Sequence, residues 1–132
     1  MFWLKSNHRG YMNNILIIKS KLDEITALFE SGGDHLRFDK ATSQEISRKL
    51  TELKDFTSEL QKSLEKQSKQ GKLTDAEETM IKPAVDDIYL TSIAKINRGA
   101  KPTREIYNHI ADTESTLEYW LGQFELLQSK EM

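Results

Sequence analysis

The sequence contains no cysteine and only 2 prolines, and each shortage excludes a class of protein or of local structure. Without cysteine there is no disulfide framework, no thiolate zinc site and no cysteine nucleophile. The prolines and the 6 glycines lie mostly between periodic apolar segments, which is the distribution that long helices require. No apolar run approaches the ~20 residues of a membrane-spanning helix, so no membrane association is predicted.

The first residues are apolar, but they do not have the order of a secretory signal. Phe2, Trp3 and Leu4 come before His8 and Arg9, whereas a signal carries its charge ahead of a longer apolar stretch. Together with the lack of cysteine, this order predicts a cytoplasmic protein. The net charge of −2 indicates no polyanionic partner.

Apolar residues recur every three or four positions in four segments, which predicts an all-α fold. Leu53 and Leu117 are expected in the core at mid-helix. The stripe predicted for the second helix is Ile46, Leu50, Leu53, Thr57, Leu60 and Leu64. The 132 residues suit one domain. Thr103 is the expected N-cap of the last helix, and the two later connections are only a few residues long, which favours antiparallel neighbours. The predicted fold is therefore an up-down-up-down antiparallel four-helix bundle over 13–132 after a short N-terminal arm over 1–12. Its helices are predicted at roughly 13–31, 42–70, 74–98 and 103–128.

Two helix starts have the spacing of a capping box, in which two side chains satisfy backbone N–H groups of the first turn. These are Thr42 with Glu45 and Thr74 with Glu77. Pro83 lies past the first turn of the third predicted helix, where it removes a backbone hydrogen bond. We therefore expect that helix either to bend at Pro83 or to begin later than residue 74.

No set of residues has the spacing of a catalytic, metal or nucleotide site. Glu105, His109 and Asp112 share one side of the fourth helix, but a di-iron bundle needs inward Glu-x-x-His pairs on two helices. The adjacent Asp86 and Asp87 point about 100° apart, so they cannot easily share a proton or a metal ion. The sequence thus predicts a non-enzymatic protein without a cofactor, and a metal-binding or enzymatic bundle is the disfavoured alternative.

Basic residues recur at every third position around the last turn and form a candidate anion contact. Lys and Arg near helix C-termini also complement the helix dipole, and this structural role is the favoured interpretation. A second basic cluster, Lys62, Lys66, Lys69 and Lys72, surrounds the turn between the second and third predicted helices. Its distance from the last turn and the acidic character of the fourth helix argue against duplex DNA as a partner. The four residues of the candidate anion contact are Lys95, Arg98, Lys101 and Arg104.

Apolar residues outside the core stripes are the strongest indication of function. Left in water, they would form a larger patch than monomers normally tolerate, and tyrosine and tryptophan are typical anchors of interfaces. Because twofold dimers are the commonest soluble oligomers, we predict a protein-binding bundle that forms a homodimer. The candidate interface residues are Phe2, Trp3, Leu4, Leu90, Ile93, Tyr107 and Tyr119.

Two alternatives stay open at this point. A small toxin-neutralising or immunity-type protein would present the acidic fourth helix to a basic partner. Met12, followed by Asn13 and Asn14, also reads as the start of a helical protein. That reading leaves open whether residues 1–11 belong to the functional protein.

Overall fold

A computed structural model describes the backbone of residues 7–131 and the side chains of residues 10–127. The described chain is all-α, with four α-helices and no strand, as predicted. A π-helical turn, Glu77–Ile81, precedes the third helix, and a 3₁₀ turn, Ile93–Lys95, follows it. The helices are α1 (Asn7–Glu30), α2 (Lys40–Lys69), α3 (Lys82–Thr91) and α4 (Arg104–Glu131).

One apolar core joins all four helices. Leu53 of α2 and Leu117 of α4, predicted to lie at mid-helix in the core, are 0% and 2% exposed. All six residues of the stripe predicted for α2 are buried: Ile46, Leu50, Leu53, Thr57, Leu60 and Leu64.

The helices pack in a ring in which α1 contacts α2 and α4, and α3 contacts the same two helices. Along the contacts between α2 and residues 78–96, the residue number in α2 falls as the number of its partner rises. The two segments therefore run in opposite directions. The contacts join Ser68 to Glu78, Gln61 to Asp86 and Lys54 to Ile96. The complete up-down-up-down order stays a prediction.

Helix α1 begins earlier than the sequence pattern indicated. The predicted arm over 1–12 is wrong from Asn7 onward, because α1 starts there. Tyr11 and Met12 pack against the core, and this burial favours a helix that begins before residue 13. Residues 1–6 lie outside the described part of the chain.

Helix α2 also begins earlier than predicted, and the first capping box is not formed. Asp39 is the N-cap, and its Oδ1 accepts a hydrogen bond from Thr42 N at 2.7 Å. Thr42 is therefore already inside the helix. Glu45, its predicted partner, forms an ion pair with Arg48 at 2.6 Å instead.

The second capping box is confirmed, but the helix predicted over 74–98 is divided. Thr74 N donates to Glu77 Oε1 at 2.8 Å, and Glu77 N donates to Thr74 Oγ1 at 3.2 Å. The π turn follows, with Lys82 N–H bonded to Glu77 O. Pro83 then falls in the first turn of α3, where a missing N–H costs little. The helix ends at Thr91, well before the predicted residue 98.

The segment between α3 and α4 is tied to α2 by hydrogen bonds. Lys54 Nζ donates to the carbonyl oxygen of Ile96 at 2.5 Å, and Gly99 N donates to Thr51 Oγ1 at 2.7 Å. Helix α4 then begins as predicted, since Thr103 Oγ1 accepts from a first-turn N–H. These bonds fix where α4 starts relative to the core.

Candidate protein-interaction surface

An aspartate on α3 holds a tryptophan on α4 at the outer side of the bundle. Trp120 Nε1 donates to Asp87 Oδ2 at 2.8 Å, and Thr91 Oγ1 donates to Asp87 Oδ1 at 2.9 Å. Both carboxylate oxygens of Asp87 are therefore engaged. In this arrangement Asp87 positions an aromatic ring of the neighbouring helix.

The held tryptophan in turn supports a more exposed aromatic side chain. The rings of Tyr119 and Trp120 meet edge to face, with centroids 5.4 Å apart and planes at 83°. On its inner side Trp120 lies 6.2 Å from the ring of Phe124, which is buried. Such aromatic contacts contribute about 0.5–1.5 kcal/mol each beyond the area they bury. Tyr119 therefore packs on Trp120 while more than half of its side chain stays in solvent.

Three large apolar side chains are exposed around this support. Leu90 is 59% exposed, and Tyr119 and Leu126 are each 58% exposed. Tyr119 and Leu126 are seven residues apart, so they lie on one face of α4. Leu90 follows Asp87 by nearly one turn and lies on the same side of α3. We call Leu90, Tyr119, Trp120 and Leu126 the α3–α4 surface.

The structure separates two of the other predicted interface residues, Ile93 and Tyr107, from this surface. The placement of Ile93 outside the core is wrong, because Ile93 is 0% exposed. The helix stops at Thr91, and the 3₁₀ turn that follows changes the direction of the later side chains. Tyr107 is half-buried toward α1, with its ring 5.3 Å from Phe29. Three further candidates lie outside the described residues: Phe2, Trp3 and Leu4.

The predicted anion cluster is partly engaged in contacts within the chain. Arg98 forms an ion pair with Asp55 of α2, and the Arg104 guanidinium donates to the carbonyl oxygen of Asp34. These contacts attach the start of α4 to its neighbours and agree with a structural role. The other two residues of the cluster, Lys95 and Lys101, are exposed. Binding of an anion by the cluster stays a prediction.

An acidic groove of about 240 Å³ runs between α1 and α4. Its central residue is Glu114, which accepts a hydrogen bond from Thr26 Oγ1. Burial raises the pKa of the Glu114 carboxyl, and the charges of Asp23, Glu118 and Glu30 raise it further. A cation in this groove would relieve that repulsion. The sequence indicated an acidic α4, but the packing of α1 against it supplies the other acidic residues.

The histidine-containing trio on α4 comes together only in part. His109 Nε2 lies 3.8 Å from Glu105 Oε1, and this pair is ionic only when the histidine is protonated. Asp112 is exposed on the outer side of the helix. Across the part of the chain that the structure describes, no three His, Cys, Asp or Glu residues are grouped to hold a metal ion.

A buried carboxylate at the other end of the molecule was not anticipated. Glu77 is 0% exposed; its Oε1 is bonded by the capping box, and its Oε2 has no hydrogen-bond partner. Burial raises the pKa of the nearby Tyr11, and the charge of Glu77 raises it further. Capping-box spacing identified the bond of Glu77. Its burial depends on α1 crossing the π turn, which the local pattern cannot indicate.

Comparison with known proteins found no relative: no family model, curated protein or solved structure matches the chain. Among the helices described, none is both long enough and apolar enough to cross a membrane. The function must therefore be inferred from the surfaces themselves.

Proposed function

We propose that this chain is a non-enzymatic, protein-binding helical bundle that forms a homodimer through its α3–α4 surface. The observation that supports this is the exposure of Leu90, Tyr119 and Leu126 beside a tryptophan that Asp87 holds in place. Rigid, exposed aromatic side chains with apolar neighbours are the usual anchors of interfaces. Cytoplasmic residence belongs to the same proposal and is supported by the absence of cysteine.

The apolar residues alone would give a weak dimer. Burying a large apolar side chain contributes about 1.5–3 kcal/mol when it starts fully exposed, and these three start a little over half exposed. The six side chains of a twofold pair then contribute roughly 5–10 kcal/mol. Association costs a comparable amount, about 4–15 kcal/mol. Polar contacts around the surface therefore decide the affinity, and we expect dissociation in the micromolar range.

Sedimentation velocity across the micromolar range tests the proposal. The wild-type chain should form a dimer, and Leu90→Lys or Tyr119→Lys should shift it toward monomer while the helical circular dichroism remains. Leu16→Lys is the matched control, because Leu16 is 48% exposed on α1 and does not belong to the α3–α4 surface. A wild-type chain that stays monomeric throughout this range would overturn the homodimer.

A second candidate function is supported by the acidic α1–α4 groove. A toxin-neutralising or immunity-type protein would use Glu114 and Glu118 to bind a basic protein, which would lower the repulsion around Glu114. Affinity capture with the wild-type chain should then recover one basic protein. Glu114→Lys with Glu118→Lys should lose that protein, and Leu90→Lys should retain it. Recovery that is equal with all three chains would contradict this function.

A further inference from the structure

A groove of about 300 Å³ lies between α1 and α2, on helices that do not contribute to the α3–α4 surface. Ligand sites are concave, have volumes of about 300–1,000 Å³, and combine apolar walls with a few polar groups. The groove is at the lower end of that range, which suits one small organic molecule. We call it the α1–α2 groove, and its lining residues are Tyr11, Asn14, Phe56, Glu59, Leu60 and Ser63.

The apolar part of the α1–α2 groove includes an aromatic ring from each helix. Tyr11 and Phe56 are partly buried against the core, and they make no ring contact with each other. The Lys21 ammonium lies 5.7 Å from the centroid of the Phe56 ring, and this cation–π contact holds the ring on one side. A ligand ring that enters the groove can therefore pack against Tyr11 and Phe56 in edge-to-face or offset geometry.

The charges around the α1–α2 groove favour a positively charged ligand over a negatively charged one. The Glu59 carboxylate is exposed and forms no ion pair within the part of the chain that the structure describes. Burial raises the pKa of Tyr11, and the charge of the buried Glu77 raises it further, so negative charge also acts on the groove from inside the bundle. Asn14 and Ser63 add neutral hydrogen-bonding groups.

We propose that the α1–α2 groove binds a small arylalkylamine, in which a short aliphatic chain joins an aromatic ring to an ammonium group. The ring packs against Tyr11 and Phe56, and the ammonium group pairs with the Glu59 carboxylate. Lys21 already places one positive charge beside Phe56, and a second one there would be repelled. This repulsion sets the ammonium group at Glu59. Binding of the amine does not depend on the proposed homodimer.

Three ligands of similar size and different charge test the proposal: phenethylamine, phenethyl alcohol and phenylacetate. In an NMR titration, phenethylamine should shift the backbone amides of residues 11–14 and 56–63 saturably. We expect its dissociation constant in the millimolar range, as is usual for so small a ligand. Phenethyl alcohol should bind roughly two- to fivefold more weakly, since an exposed ion pair contributes little. Phenylacetate should bind more weakly still, because its carboxylate meets Glu59.

Two variants of the groove and one matched control separate the contributions of charge and ring. Glu59→Gln should remove the advantage of phenethylamine, so that amine and alcohol bind equally, while binding of the alcohol is unchanged. Phe56→Leu should weaken both ligands. Glu125→Gln makes the same charge change on the exposed side of α4, outside the groove, and should leave every constant as in the wild type. Glu59 is exposed, so its test does not depend on whether Phe56→Leu folds.

The outcomes that would overturn the proposal are distinct from those that test the homodimer. Phenethylamine that gives no saturable shift around the α1–α2 groove would overturn it, and so would equal binding of all three ligands. Equal weakening of phenethylamine by Glu59→Gln and Glu125→Gln would also overturn it, because the attraction would then come from the net charge of the chain.

Discussion

Two leucine-to-alanine substitutions with matched chemistry test the assignment of core and surface. Leu53, at mid-helix in α2, is 0% exposed, whereas Leu90, near the end of α3, is 59% exposed. Leucine and alanine are both good helix formers, so intrinsic propensity changes little in either variant. The difference between the two losses of stability therefore reports burial.

The expected sizes follow from what each side chain contacts. Leu53→Ala removes roughly three buried carbon groups at about 0.8 kcal/mol each and leaves a cavity, so the expected loss is about 3–4 kcal/mol. Leu90→Ala removes a side chain that is mostly in water already, and the loss should be under about 1 kcal/mol.

Urea unfolding followed by circular dichroism measures both losses. The unfolding experiment should be run at a protein concentration at which the chain is monomeric, because dimer formation would stabilise the fold by mass action. The midpoint should fall strongly for Leu53→Ala with an unchanged m-value, and only slightly for Leu90→Ala. A loss under about 1 kcal/mol for Leu53→Ala, or equal losses for the two variants, would refute the assignment of the helix faces.

Three further variants test local features of the fold. Thr103→Ala removes the acceptor for Ile106 N and should cost about 1 kcal/mol in urea unfolding; an unchanged midpoint would contradict the cap. The raised pKa of Glu114 means that its charge opposes folding, so Glu114→Gln should raise the melting temperature at neutral pH. That gain should vanish as the pH falls below the ordinary pKa of glutamate, where the wild-type carboxyl is protonated too, and a gain that persists in acid would contradict the cause. Glu77→Gln should lower the pKa of Tyr11, measured by NMR titration, because one of its two causes is removed; an unchanged pKa would mean that burial alone raises it.

The helices could be predicted from the sequence where local and tertiary interactions agree. The α2 stripe and the Thr74–Glu77 box needed only periodicity and spacing, and both are present. The Thr42–Glu45 box failed although its spacing is equally good, because Asp39 lies three residues earlier and caps the helix first. Aspartate is a stronger N-cap than threonine, so the helix begins at the earlier of the two residues.

The candidate surface could be predicted only in part. Leu90 and Tyr119 fell outside the core stripes and are exposed. Ile93 was misplaced because a continuous helical period was applied across residue 91, where α3 ends. The hydrogen bond that holds Trp120 beside Tyr119 joins two residues that are 33 positions apart in the sequence. No pattern within a single helix contains that information.

The central claim is that this chain forms a dimer with itself, and sedimentation equilibrium tests it most directly. The wild-type chain and Tyr119→Lys should be compared at the same concentrations across the micromolar range. For the wild type, we predict that the average mass rises from 15.3 kDa toward twice that value as concentration increases, while Tyr119→Lys stays near the monomer mass. A wild-type mass that remains at 15.3 kDa at every concentration would contradict the account.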